Sequence, residues 1–417
     1  MCGSTKRQDR LPYRKCGSLA FFKDLSDRKE AMRIRKQPNM LSYLREYGGY
    51  SFEERPFSET DSLILAQLAY LKYEGLVPGF RGERKAAKPI SFRELAANPL
   101  RDKMFADPVY GKKYARLFGL VSGCRRFKEL KADYFVNIVS QGGGEREIQF
   151  SAITFFLEGG RWKEGARSSD RCVYVAFRGT DENLIGWKED LNMSYMTPVP
   201  SQKAALAYFR KVASLHDGPI LIGGHSKGGN LAVFAAAVCG LRLQNRIQRV
   251  YSFDGPGFPG DFCRTQGYRR IAGKICKIVP AYSMIGMVLQ NQISAYPVES
   301  MGRGIFQHDM FHWIIKDGDF CYRKGIYLRA VRRMRAVNAW ISSLSVGERQ
   351  DFVNIVYDIL SSADAKTIYG LSKKPLRRLR SIAKAVRGLD RTAKNFMKSV
   401  WKRFFRAYFQ VRTRTRK

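Results

Sequence analysis

The sequence predicts an α/β fold, a mostly parallel sheet with helices on both faces, followed by a strongly basic helical extension. Three observations carry this expectation. Strand-like and helix-like segments alternate from about residue 171 to 279, the pattern of parallel strands joined by crossover helices. The chain of 417 residues is 45% hydrophobic and 27% charged, a soluble globular composition, and no apolar run approaches the roughly 18 residues of a spanning helix. Beyond residue 325 the signal is helical to the end.

Taken in order, residues 1–38 hold 11 basic and 4 acidic side chains and read as a basic, flexible tail. Its one apolar stretch, GSLAFF, is too short for a secretory signal, so a cytoplasmic location is expected. The main domain, residues 39–325, opens with a segment in which Ser58 caps a helix whose Leu63, Ile64, Leu68 and Leu71 recur at helical spacing. YFVNIVS, EIQFSAITFFLEGG and RCVYVAFRGT follow as strands, with the breaks QGGGE and EGGRW suited to hairpin turns. Residues 201–215 predict a helix, PILIGG a strand, NLAVFAAAVCGL a helix, and RVYSF and KICKIV two further strands. The third region, 326–417, is expected to be helical, with a capping box at SVGE, residues 345–348.

Lys and Arg number 74 against 37 Asp and Glu, a net charge of +37. Such an excess implies attraction to phosphate surfaces, either nucleic acid or anionic lipid. The eight cysteines form no CxxC pair and no Cys/His cluster at metal spacing, so reduced, mostly buried thiols are expected, with no metal or cofactor.

Chemistry concentrates in PILIGGHSKGGNLAVFAAAVC, residues 219–239. A buried-type strand runs into Gly224-His225-Ser226-Lys227-Gly228 and then into a helix of small residues, the context of a nucleophile elbow, which makes Ser226 the candidate nucleophile. A serine needs a base, and the chain has four histidines. His225 adjoins the serine, where its ring should turn away and pack; His216 precedes the strand at the far end of the sheet. His308, in GIFQHDMFHW, lies downstream of the last parallel strands, where the order Ser, acid, His puts the base. His312 is the weaker candidate, read as a structural imidazole beside Trp313. Asp254, ending RVYSFD right after the strand that follows the serine helix, is the candidate acid, with Asp309 and Asp317 behind it. The oxyanion donors are assigned to the amides of Lys227 and of Thr180 in the FRGT turn, with Trp187 and Asp190 as supports.

FRGT followed by GWKEDLNM, the GHSKGGN elbow, SFDGPGF and the QHD tripeptide together resemble the Mbeg-type family of bacterial proteins related to class 3 lipases. The resemblance runs from about 39 to 325, weakly to about 370. It implies an α/β-hydrolase fold and serine hydrolase chemistry, with Ser226 and His308 on the nucleophile and base positions and Thr180 on the oxyanion position. In class 3 lipases the acid follows the next strand, where this chain reads KICKIVPAYSMIG without a carboxylate; Asp254, one strand earlier, must then serve.

The expected activity is acyl-ester hydrolysis through a Ser-His-Asp triad, on an ester that the apolar AYSMIGMVL suggests is lipid. The alternative is an inactive hydrolase-like scaffold binding anionic partners through its tails. Residues 371–417 hold 17 basic and 1 acidic side chains. Arg377, Arg380, Lys384, Arg387 and Arg391 share one helical arc, and Leu376, Leu379, Ile382, Val386 and Leu389 an opposed or flanking one. Further on, Phe396, Met397, Val400, Trp401, Phe404, Phe405, Tyr408 and Phe409 make a broad apolar arc with Lys402, Arg403 and Arg406 opposite. An anionic membrane surface at the inner face is the expected partner of this region, against packing on the hydrolase domain with a solvated basic face, and ahead of nucleic acid.

Overall fold

The computed structural model describes residues 37–80, 88–141, 147–159, 171–181, 184–289, 292–362 and 375–414. Most of the N-terminal tail, the tips of both Gly-rich breaks, and the side chains of Leu376, Arg377 and Leu379 lie outside the described residues.

Eight strands form one sheet in sequential order: β1 (Ile90–Ser91), β2 (Lys131–Gln141), β3 (Glu147–Leu157), β4 (Cys172–Phe177), β5 (Ile220–His225), β6 (Ile247–Phe253), β7 (Ile275–Pro280) and β8 (Ala295–Val298). β1 to β4 pair antiparallel and β4 to β8 parallel. The breaks QGGGE and EGGRW therefore join antiparallel neighbours. The parallel strands β4, β5 and β7 are buried at every position, which is why they read as continuous apolar runs rather than alternating ones.

Alternate residues divide the core in two. Val173, Val175, Phe177, Ile220, Ile222 and Val250 face a layer built on helices α1 (Pro200–Leu215) and α2 (Lys227–Val238). Tyr174, Ala176, Leu221, Tyr251, Phe253 and Ile278 face the opposite layer, which includes α3 (Glu59–Leu68) and α4 (Gly111–Gly123). The result is a three-layer α/β arrangement, with helices packed on both faces of the sheet. α3 begins as its sequence dictates: Ser58 and Asp61 form a reciprocal capping box, and the helix is buried on nearly every side. Leu71 lies just past its end, still buried.

Past the sheet come α5 (Leu328–Ser342), α6 (Val346–Ser361), α7 (Pro375–Gly388) and α8 (Arg391–Arg414). Ser345 and Glu348 make the anticipated capping box. The broad apolar arc of α8 is divided between packing and solvent. Val400 and Ala407 are buried, whereas Trp401, Phe405, Tyr408 and Phe409 are exposed. No helix of the described residues is long and apolar enough to cross a membrane.

Candidate active site

The site forms where parallel strands end. Ser226 sits between β5 and α2 with φ 57° and ψ −127°, a strained conformation for a residue with a side chain. Its amide donates to the carbonyl of Phe253 at the end of β6 (2.9 Å). Two glycines make the turn feasible: a Cβ on Gly228 would lie 2.1 Å from the Phe177 carbonyl oxygen, and one on Gly224 2.5 Å from it. The small residues of α2 thus let helix and strand meet, and Ser226 stands at the positive end of a twelve-residue helix.

Asp254 follows β6 with φ 48° and is fully buried. One carboxylate oxygen, Oδ2, meets His308 Nδ1 at 2.6 Å. The other accepts from Ser283 Oγ (2.5 Å) and the Gly286 amide (3.1 Å). Both donors belong to the segment after β7 that carries no carboxylate of its own. The aspartate amide also donates to the carbonyl of Ile278 on β7 (2.8 Å). The segment after β7 therefore holds the acid supplied by the strand before it. Beneath the loop, Lys277 Nζ donates to the carbonyl of Gly255 (2.7 Å); burial pushes its ammonium down to about 8, partly offset by Asp254.

His308, one quarter exposed at its side chain, is fixed from a second direction. The ring of His225 lies 4.4 Å from its own, centroid to centroid. Burial, and then the neighbouring His308, push the His225 imidazole well below its ordinary value. A neutral imidazole has one donor and one acceptor, so Nε2–H donates to the His308 carbonyl (2.9 Å) and Nδ1 accepts from Tyr70 Oη (3.1 Å). His308 Nε2 and Ser226 Oγ are not hydrogen-bonded to one another among the described residues. Such contacts are often loose before substrate arrives.

The FRGT turn abuts the elbow, since a Cβ on Gly179 would lie 3.2 Å from Ser226 Cβ. Thr180 Oγ1 donates to Asp190 Oδ2 (2.6 Å). Burial raises the Asp190 carboxyl to about 6, and its Oδ1 has no hydrogen-bond partner among the described residues. The amide of Lys227, first in α2, has no carbonyl to bond within the helix. Its buried Nζ runs the other way, to Glu189 Oε2 (3.1 Å) and the Gln149 carbonyl (3.0 Å). Trp187, expected beside Asp190 as a support, is instead 44% exposed. It lies on the solvent side of a helix whose Gly186 and Glu189 face inward.

The remaining candidates are elsewhere engaged. His216 packs against Tyr134 and Phe156. His312 Nδ1 bonds the Phe306 carbonyl (3.0 Å), and Asp309 pairs with Lys113 (2.7 Å). Asp317 occupies a left-handed turn position between the strands Ile315–Lys316 and Asp319–Phe320. Sequence reasoning overlooked Tyr70, Gln149, Ser283 and Glu189. For Ser283 the sequence holds a signal: a hydroxyl in the carboxylate-free segment after β7 can donate to an acid from the neighbouring strand.

A family model described as Mbeg1-like matches residues 121–358. The match starts later than the 39 expected and extends through α5 into α6. Among solved structures, one described as "Crystal structure of M37 lipase" is 16% identical, with 55% of this chain and 70% of that one covered and a TM-score of 0.31. No curated protein matches the chain.

Proposed function

This chain belongs to the Mbeg1-like family, and from that premise we propose that it is a serine hydrolase that cleaves acyl esters with Ser226 as nucleophile, His308 as base and Asp254 as the acid orienting the imidazole. The observation that carries the reading is the 2.6 Å contact between Asp254 Oδ2 and His308 Nδ1. It lies at the strand ends where Ser226 takes its strained turn. A carboxylate on Nδ1 leaves Nε2 as the proton acceptor. In the proposed reaction Nε2 takes the Ser226 proton as Oγ attacks the ester carbonyl. The amides of Lys227 and Thr180 receive the developing oxyanion. Collapse expels the alcohol, which takes the proton from His308, and water repeats the sequence to release the acid.

An esterified lipid is the proposed substrate class. Support comes from the segment after β7, whose Met284, Ile285, Met287 and Val288 remain partly exposed beside the donors that hold Asp254.

Hydrolysis of p-nitrophenyl esters tests the reading. Ser226→Ala and His308→Ala should each lower kcat by about 10⁴ or more, and Asp254→Asn by about 10³–10⁴. Activity retained in Ser226→Ala overturns it and leaves the scaffold alternative standing.

A further inference from the structure

α8 packs with one face and leaves another uncovered. Trp340 of α5 donates from Nε1 to the Val400 carbonyl (3.1 Å) and meets the Phe404 ring edge-on at 5.5 Å. Arg403 reaches both carboxylate oxygens of Glu348 on α6 (3.0 and 2.7 Å). At about 100° per residue, these residues with buried Val400 and Ala407 fill one side of the helix. The other side carries Trp401, Phe405, Tyr408 and Phe409, exposed at 47%, 53%, 37% and 55%, among exposed Lys398, Lys402 and Arg406. Next to this ridge is a cavity of about 310 Å³ lined by Arg329, Arg332, Arg333, Tyr408 and Val411. None of those three arginines forms an ion pair among the described residues.

We propose that this surface seats the protein on an anionic lipid bilayer, the aromatic ridge entering the boundary between headgroups and acyl chains and the arginines meeting lipid phosphates. The charge is complementary: the sole acidic residue of 371–417 is Asp390, ahead of the helix. Large apolar side chains left in water are a standing cost, and a basic helix with Trp and Phe on one face recovers it at a membrane surface. The rings suit lipid better than nucleic acid bases. The four exposed rings form one continuous apolar ridge packed ring against ring, the form of a face that enters a bilayer boundary, whereas single strands use aromatic platforms on which successive bases stack. This inference does not depend on the hydrolase reading.

Flotation of the full-length protein with vesicles tests it. Co-flotation is expected with phosphatidylcholine vesicles containing phosphatidylglycerol and not with phosphatidylcholine alone. Trp401→Ser with Phe405→Ser, which keeps every charge, should weaken the partitioning about tenfold or more, as should Arg329→Gln, Arg332→Gln and Arg333→Gln together. Circular dichroism checks that the variants fold, and the two sets alter different helices. Failure to float with anionic vesicles overturns the proposal. So does an aromatic variant that floats like its parent, or binding to DNA that such vesicles cannot displace.

Discussion

Asp190 shows how a buried carboxyl beside the proposed oxyanion turn makes stability depend on pH. Its folded-state value of about 6 stands above its ordinary 3.8, so the folded protein holds this proton more tightly than the unfolded chain. The stabilisation is therefore complete below the lower value and is lost as pH rises through the window to the upper one. Asp190→Asn keeps an acceptor for Thr180 and removes the titration. Thermal unfolding across that window should show the parent losing stability relative to the variant, and parallel curves for the two would refute the assignment. The places of Ser226 and Asp254 could be read because each directly follows a strand at a marked turn, the Gly-rich elbow and Asp-Gly-Pro-Gly, whereas His308, which closes the short helix Gly304–His308, was marked by the QHD tripeptide. His225 with Tyr70, and Ser283 with Gly286, were not. Their contacts join residues far apart in sequence and leave no local pattern.

Elements were readable where caps or runs mark them. α3 and α6 start at capping boxes, and the buried parallel strands read as apolar runs. β8 escaped because its four residues include Pro297, which argues against a strand except at a sheet edge, where β8 lies. α4 escaped for want of a capping side chain at its start. Packing of α3 also relies on an ion pair that sequence could not foretell. Arg126 and Asp61, both with fully buried side chains, meet at 2.5 Å. Arg126 also donates to the carbonyls of Arg55 (2.9 Å) and Pro56 (3.2 Å), and Tyr43 Oη to Asp61 (2.8 Å). Removing one member of a buried pair leaves the other uncompensated. Arg126→Ala should therefore cost about 3–5 kcal/mol in urea unfolding. A loss below about 1 kcal/mol, the worth of an exposed pair, contradicts this account of the packing.

Across the whole molecule, charge and chemistry are separated. The basic excess concentrates in the tails, while the strand ends hold a neutral His225 and a carboxylate bonded on both oxygens. α5 connects the two regions. Its Asn338 bonds the Leu289 amide and the Met287 carbonyl (both 2.9 Å), in the segment that holds Asp254, while its other positions carry the arginines beside α8. An activated Ser226 would be trapped by a fluorophosphonate, so the full-length protein is labelled with this probe and the adduct located by peptide mapping. One stoichiometric adduct is expected on Ser226, absent from Ser226→Ala and formed orders of magnitude more slowly in His308→Ala. An unlabelled Ser226, or equal labelling in the Ser226→Ala variant, would contradict that activation.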